Sequence, residues 1–342
     1  MKKILASSLA VAAFAFGGAV VHGHPDHHVA PGKDLEGEAI TGNGIHTYVT
    51  VPGWGAFDDG NALGPTHGGI AVSKNGNVYV STDGDRSICV FDSEGNFLQS
   101  IAPDCVGTHA LFMSEENGEE FLYGAHLKGQ RIVKMTLDGE VLLSIEDGAE
   151  NPIPEGLNGV TAISVGDDGR IYAGIGYGSN FVHVFSPEGK LLKSFGSKGE
   201  GIDQFRACHG MSIDMRFGEP RLLIADRENR RLKHYDLEGN LIGVFAENLR
   251  RPCAISFFGD YCAIAELEGR VTILDKEGVV VAFLGDNPVK EQWAKYKTPL
   301  DAIPAGLFTA PHGLSYDSEG NIFVQDWNET GRLTRLNRLY SE

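Results

Sequence analysis

Residues Phe205 to Phe245 read FRACHGMSIDMRFGEPRLLIADRENRRLKHYDLEGNLIGVF. This stretch contains four short apolar runs separated by turns and one polar loop, and it predicts four antiparallel strands. The pattern recurs along the chain about every 40 to 50 residues, which is typical of a β-propeller blade rather than of a helical solenoid. In such a meander the start of the first strand and the end of the second lie at the same face, so His209, Asp226 and Arg227 should share one face of the disc.

Six such repeats follow one another. Their predicted bounds are Gly68–Ile101, His109–Ile145, Thr161–Phe195, Phe205–Phe245, Cys253–Leu284 and a last blade that starts at His312 and has three strands. The alternating run HTYVTV, His46 to Val51, is predicted to supply the missing strand and close the ring. An insertion from Asp286 to Ala310 precedes the last blade, and its run KEQWAKYK predicts a short capping helix. The sequence therefore predicts an all-β, six-bladed propeller over residues 45–342.

The composition suits a turn-rich β protein, with a formal charge of −17, 45 glycines in 342 residues and 9% aromatic residues. An acidic chain without a basic stripe argues against a nucleic-acid partner. Lys2, Lys3 and the apolar run from Ile4 to Val21 predict a signal peptide over residues 1–23, and hence a periplasmic or secreted protein. No other stretch is long and apolar enough to predict a membrane span.

A histidine-containing segment, residues 24–44, follows the predicted signal peptide and is expected to be a flexible tail. The five cysteines are an odd number, so at least one thiol must be unpaired, and the sequence assigns no pairing.

Aligning the blades on the apolar residues two and four places after the strand start reveals a pattern of histidines. The equivalent positions, which we call the ring positions, are Gly68, His109, Thr161, His209, Cys253 and His312. Histidine thus stands on every second blade. Since the first strands of a propeller line its central channel, the three imidazoles of His109, His209 and His312 should converge on the axis.

Three histidines with further positions open to water or substrate are typical of a catalytic zinc site. The alternative is three channel histidines that bond only to the backbone, and the shared register on alternate blades favours the metal. His67 is excluded from the set, because its apolar followers stand at three and five and the alternation turns it away. Cys253 also holds a ring position, but we expect a small buried thiol there rather than a fourth ligand.

The ends of the second strands supply the rest of the channel mouth. Tyr177, in GYGSN, and Arg227, in ADREN, are the candidate catalytic residues, because a phenol can accept a proton and a guanidinium can hold an anion. We expect Arg86, His126 and Asp326 to take part in binding substrate.

These residues also point to a family. The chain resembles the NHL-repeat propellers and, among them, is similar to the peptidyl-α-hydroxyglycine α-amidating lyases over essentially everything after about His46. The resemblance is most specific in GYGSNFVHVFSPEGKLLKSFG, in CHGMSID followed by LLIADREN, and in APHGLSYDSEGNIFVQD. It implies that His109, His209 and His312 bind zinc, that Tyr177 is the catalytic tyrosine and that Arg227 is one of the active-site arginines.

The chain departs from that family at three places. Thr82–Asp83 stands where the family has its other active-site arginine, and Arg86 lies nearby but out of register. Gly313 replaces an acid that helps to bind structural calcium, which argues against calcium here. Gly178 replaces a cysteine of the family's disulfide. The monooxygenase that makes the family's substrate would have to be a separate partner.

Three functions remain open from the sequence. The first is a zinc-dependent or other metal-dependent lyase that cleaves the C–N bond of a carbinolamide to an amide and glyoxylate. The second keeps the metal but acts as a hydrolase or lyase on another small polar substrate, such as a lactone, a sugar derivative or a ureido-acid. The third is a non-catalytic NHL module that binds a protein or glycan on its face.

Overall fold

The computed structural model describes residues 32–35, 38–57 and 60–339. The predicted signal peptide, residues 1–23, and the histidines of the predicted tail lie outside the described residues. In the described part of the chain no helix is long and apolar enough to cross a membrane.

The described chain is built from short antiparallel strands. The first three are β1 (Gly32–Leu35), β2 (Glu38–Asn43) and β3 (His46–Val51). Blade one has β4 (Thr66–Val72), β5 (Val78–Thr82), β6 (Ile88–Phe91) and β7 (Phe97–Ile101). Blade two has β8 (Thr108–Glu116), β9 (Glu119–His126), β10 (Arg131–Met135) and β11 (Val141–Ile145). Blade three has β12 (Ala162–Val165), β13 (Ile171–Gly174), β14 (Val182–Phe185) and β15 (Leu191–Phe195).

The second half repeats the same unit. Blade four has β16 (Cys208–Asp214), β17 (Arg221–Asp226), β18 (Arg231–Asp236) and β19 (Leu241–Ala246). Blade five has β20 (Pro252–Phe258), β21 (Tyr261–Glu266), β22 (Arg270–Leu274) and β23 (Val280–Leu284), and blade six has β24 (Pro311–Tyr316), β25 (Ile322–Asp326) and β26 (Arg332–Arg338). Single 3₁₀ turns lie at Pro103–Cys105, Arg227–Asn229, Lys290–Gln292 and Leu300–Ala302. The predicted all-β, six-bladed propeller is confirmed.

The ring is closed by the N-terminal strand, as the sequence predicted. β3 pairs antiparallel with β26, with Val51 opposite Arg335 and Tyr48 opposite Arg338. β2 and β1 then extend the same sheet outward to six strands. Residues 32–35 and 38–43 are therefore strands within the segment 24–44 for which a flexible tail was expected, and β structure begins before the predicted boundary at 45.

The apolar core is divided among the interfaces between blades. Tyr172 of blade three packs with Leu222 and Tyr235 of blade four, and each of the other five interfaces has a cluster of the same kind. Because every blade is covered on both faces, the middle strands are mostly buried, and β5 and β6 are buried along their whole length. All five cysteines are free and buried in this core, so the unpaired thiol that the odd number requires is present.

The helix predicted for KEQWAKYK is wrong, because only Lys290–Gln292 forms a 3₁₀ turn. The next residues are held by contacts from outside the segment. The Ala294 N–H is shared by the carbonyls of Leu267 and Thr309, at 3.2 and 2.9 Å, and the Trp293 indole donates to the carbonyl of Asn287 at 2.8 Å. These bonds replace those that a longer helix would have made within itself.

The closing strand should carry much of the stability of the disc. Tyr48 is 1% exposed and packs against the core between blades five and six. Tyr48→Ala should lower the free energy of unfolding by about 3–5 kcal/mol, because it removes a large buried side chain from the one joint that unites the chain ends. Urea denaturation measures this loss.

Ile45→Ala is the matched control, since Ile45 lies three residues away and is 44% exposed. We expect that variant to stay within about 0.5 kcal/mol of the natural protein. Equal losses in the two variants would show that β3 does not hold the ring closed.

Candidate metal centre

The first strand of each histidine-bearing blade slips by one residue at the histidine. In blade two, Thr108 pairs with His126 but Ala110 pairs with Ala125, and His109 lies in the resulting bulge. The same kind of register shift brackets His209 in blade four and His312 in blade six. A β-bulge re-aims a side chain, and here it turns each imidazole into the channel mouth.

The three imidazoles meet on the axis. The ring centroids are 4.7 Å apart for His109 and His209, 5.0 Å for His109 and His312, and 4.5 Å for His209 and His312. Below them a cavity of about 70 Å³ follows the axis, lined among others by the ring positions Gly68, His109, Thr161, His209, Cys253 and His312. The residues that the sequence alignment placed at equivalent positions of the six blades therefore surround one axis in the structure.

The blade next along the chain orients two of these rings. The Nδ1 of His109 lies 2.7 Å from the carbonyl oxygen of Thr161, and the Nδ1 of His209 lies 3.0 Å from that of Cys253. Since a carbonyl only accepts, both Nδ1 atoms carry the proton, and both Nε2 atoms present a lone pair to the axis. The Nδ1 of His312 is buried without a hydrogen-bond partner and packs against Gly68.

The phenol of Tyr177 points into the middle of this group. Its hydroxyl oxygen lies 3.2 Å from Nε2 of His109, 3.0 Å from Nε2 of His209 and 3.5 Å from Nε2 of His312. The residue as a whole is 41% exposed, because the outer part of the ring faces the mouth. A candidate catalytic atom therefore stands where the three histidines converge.

Arg227 binds the same hydroxyl, with its Nη1 donating to the Tyr177 hydroxyl oxygen at 3.2 Å. Its Nε donates to Glu228 at 2.9 Å, and Glu228 also accepts from Arg251. The guanidinium is thereby held in one orientation. Glu228 and Arg251 were not identified from the sequence, since a salt bridge between loops of two blades leaves no local pattern.

The electrostatics favour a cation at this centre. Burial lowers the pKa of His109, His209 and His312 well below 6.5. Neighbouring histidines, His67 among them, and Arg227 lower the pKa further, so the rings are neutral at pH 7. Burial also raises the pKa of Tyr177 to about 12, although Arg227 opposes that shift. At least two lone pairs thus face a single O–H donor, and a divalent cation would satisfy all of them. The donor set fits zinc or a similar borderline metal.

Among the described residues, two sets of potential ligands have their donor atoms within 4.8 Å of one another, and His109 and His209 do not share a set. One is His67, His109 and His312, and the other is His209, Cys253 and His312. Strict alternation of side chains predicted that His67 points away from the axis, and that prediction is wrong. Its ring centroid lies 4.8 Å from that of His109 and 5.3 Å from that of His312. The signal that could have found it is the dipeptide His–Gly, which within the predicted propeller occurs at 67–68, 209–210 and 312–313.

Cys253 does hold a ring position near His209 and His312, but its thiol is the weaker ligand. Burial raises the pKa of Cys253 to about 11, with Arg227 opposing the shift, so the group is protonated at neutral pH. The expected small buried thiol fits this environment.

The three residues expected to bind substrate make contacts with groups other than the imidazoles. The Arg86 guanidinium stacks 3.8 Å above the ring of Phe57. His126 is buried and bonds to the carbonyl of Val106 at 3.0 Å. The Asp326 carboxylate is fully buried, accepts from the backbone N–H groups of Thr309 and Ala310, and pairs with Arg332. These contacts pin loops, and substrate binding by Arg86, His126 and Asp326 stays a prediction.

No protein-family model matches the chain. Similar solved structures include a streptogramin B lyase, with a TM-score of 0.56 and 15% identity over 81% of this chain and 95% of that one. The virginiamycin B lyase of Staphylococcus aureus gives 0.53 and 16% over 80% and 94%. A gluconolactonase of Xanthomonas campestris gives 0.62 and 11% over 87% and 94%. Identities this low show a shared fold, and the NHL type and the resemblance to the amidating lyases stay predictions.

The glycine after His209 should be needed for the centre. A Cβ on Gly210 would lie 2.1 Å from the Cys253 carbonyl oxygen, the atom that orients His209. Gly210→Ala should therefore push blades four and five apart locally, lower the free energy of unfolding by about 1–3 kcal/mol and weaken binding of added Zn²⁺. Denaturation and metal titration measure the two effects.

Gly243→Ala is the matched control in the same blade, because nothing lies within 4 Å of a Cβ there. It should change neither quantity by a measurable amount. A Gly210→Ala variant that binds Zn²⁺ as the natural protein does would contradict the role given to the Cys253 carbonyl.

Proposed function

We propose that this chain is a metal-dependent lyase that cleaves the C–N bond of a carbinolamide of the α-hydroxyglycine type, giving an amide and glyoxylate. The single observation that carries the proposal is the Tyr177 hydroxyl, which lies 3.0–3.5 Å from the Nε2 atoms of three neutral histidines and 3.2 Å from Arg227. A base, an anion-binding group and a ligand set at one point suit this reaction better than they suit simple binding.

His109, His209 and His312 would hold the cation, whose chemistry when bound is that of a Lewis acid toward the substrate hydroxyl. The hydrogen bonds from Nδ1 to backbone carbonyls of the next blade suit this role, because they fix the tautomer and aim of His109 and His209. Zinc is the metal that we propose, since neutral imidazoles are borderline ligands.

As a phenolate, the form that a bound cation and Arg227 would favour, Tyr177 would accept the proton of the substrate hydroxyl. As the carbon–oxygen double bond of glyoxylate forms, the C–N bond breaks and its electron pair goes to the amide nitrogen. Tyr177 then returns the proton to that nitrogen, so the reaction needs no water and no oxidant. Arg227 stays within reach of both the phenolate and the substrate carboxylate and offsets their charge.

A second candidate, a hydrolase or lyase acting on another small polar substrate, is favoured by one observation. Asp83 stands near the mouth where the amidating lyases have an arginine, and it pairs with His67 at 3.2 Å. A carboxylate cannot help Arg227 to clamp a substrate carboxylate, so a neutral substrate such as a lactone would suit the mouth. The activities of the similar structures, a lyase and a gluconolactonase, fit either candidate.

Several expectations about context accompany the proposal. We propose an exported protein, periplasmic or secreted, that takes a small-molecule or peptide substrate and depends on a separate monooxygenase to form it. A non-catalytic NHL module is the third possibility, and it requires no metal. Metal content therefore separates it from both enzymes.

The purified protein should contain about one zinc or similar ion per chain, measured by mass spectrometry of the metal. His209→Ala should lose the metal and the activity together, because it removes one of the three proposed ligands. His183→Asn is the control, since His183 lies on the third strand of blade three and bonds to Ser194. A natural protein that stays free of stoichiometric metal after zinc reconstitution would exclude both enzyme candidates.

The metal-loaded protein should release glyoxylate from N-benzoyl-α-hydroxyglycine. Tyr177→Phe should reduce kcat by roughly 10²–10⁴-fold, because it deletes the proposed proton acceptor while keeping the ring. Tyr79→Phe, in the core between blades one and two, should leave kcat unchanged. If the loaded protein opens a lactone but forms no glyoxylate, the second candidate replaces the first.

A further inference from the structure

His67 reaches the axis because the first strand of blade one carries two extra residues. Thr66 pairs with Thr82, and the next paired residue is Ile70, opposite Val80. Three residues of β4 therefore lie opposite a single residue of β5 between these two pairs. In blade six the corresponding shift inserts a single residue, between Pro311 and Gly313. Counted from the residue that pairs with the end of the second strand, His67 and His312 take the same place in their blades.

Two glycines make this larger bulge possible. Gly68 has φ +129°, and a Cβ there would lie 2.3 Å from Nδ1 of His312. A Cβ on Gly69 would lie 2.3 Å from the Ser81 hydroxyl oxygen. Glycine at both positions therefore permits a backbone conformation that a side chain would block. That conformation places the His67 imidazole next to those of His109 and His312.

Asp83 orients His67 in the same way that backbone carbonyls orient His109 and His209. Its Oδ2 lies 3.2 Å from Nδ1 of His67, and since the carboxylate accepts, Nδ1 carries the proton and Nε2 presents a lone pair. A carboxylate behind a histidine also raises the basicity of the ring as a ligand. An ordinary rim salt bridge would need none of the backbone distortion that places this pair.

We propose that His67, oriented by Asp83, is a fourth imidazole ligand of the cation, with one ligand each from blades one, two, four and six. The inference rests on the proposed metal centre and deepens it. The donor atoms of His67, His109 and His312 lie within 4.8 Å of one another. Four neutral nitrogen ligands select zinc, cobalt, nickel or copper over magnesium and calcium, which prefer oxygen.

The test is a titration of metal-free full-length protein with Co²⁺ and Zn²⁺ in competition with a chromophoric chelator. His67→Ala should weaken both metals by at least about 10-fold and change the visible absorption spectrum of bound Co²⁺, which reports the number of ligands. Asp83→Asn should weaken them by about 10–100-fold, the range found for groups behind a metal ligand. Magnesium should not compete.

Asp85→Asn is the matched control, because it removes an equal charge from the same loop at an exposed position. It should leave the affinity and the spectrum unchanged. Thermal unfolding of all three variants checks that the propeller is intact, and Asp83→Asn keeps the test valid should His67→Ala fail to fold.

Natural affinity and an unchanged Co²⁺ spectrum in folded His67→Ala would overturn the inference, as would a natural protein that binds no metal. The glyoxylate assay separates this result from the proposed function. A protein that forms glyoxylate while His67→Ala binds metal normally retains the function and loses the fourth ligand. One that forms no glyoxylate but loses metal affinity in His67→Ala retains the fourth ligand.

Discussion

The antiparallel pairing of β3 with β26 is the constraint on which the rest of the molecule depends. It joins the two ends of the chain and makes blade six the neighbour of blade one, so that the six innermost strands surround a single axis. Without closure, β24 and β4 would not meet, and neither His312 nor His67 would face His109. The candidate centre is thus a property of the closed ring and not of any one blade.

Orientation in the centre also comes from neighbouring blades. His109 of blade two is held by a carbonyl of blade three, and His209 of blade four by a carbonyl of blade five. Blade six breaks the pattern, because the Nδ1 of His312 is buried against Gly68 of blade one without a hydrogen bond. The bulge that contains Gly68 also brings His67 to the mouth, beside Asp83. Blade one therefore adds a fourth histidine to the threefold arrangement.

The chemical character of the mouth follows from how its charges are distributed. Arg227 is fixed by Glu228, which Arg251 holds in turn, so a single guanidinium faces the phenol from a rigid support. On the blade-one side of the mouth, Asp83 provides a negative charge. A mouth with Arg227 on one side and Asp83 on the other differs from the two arginines that the resemblance to the amidating lyases implies, and under the proposed function this difference would set which substrates bind.

The fold was predictable because the strand alternation and turn residues of each blade are local, and blades of similar sequence must pack in similar ways. The same repetition placed His109, His209 and His312 in one register and Tyr177 and Arg227 at one face. The prediction of a helix over residues 290–297 was wrong because the Ala294 N–H bonds to the carbonyls of Leu267 and Thr309, which are distant in the sequence and do not enter a local helix propensity. The predicted orientation of His67 was wrong because strict alternation assumes a regular ladder of hydrogen bonds, whereas β4 contains a bulge. The amino-acid sequence by itself determined the repeat, the register and the three histidines that converge on the axis. Only the tertiary structure decided that His67 joins them and how each ring is oriented, since both depend on backbone distortions and on contacts between blades.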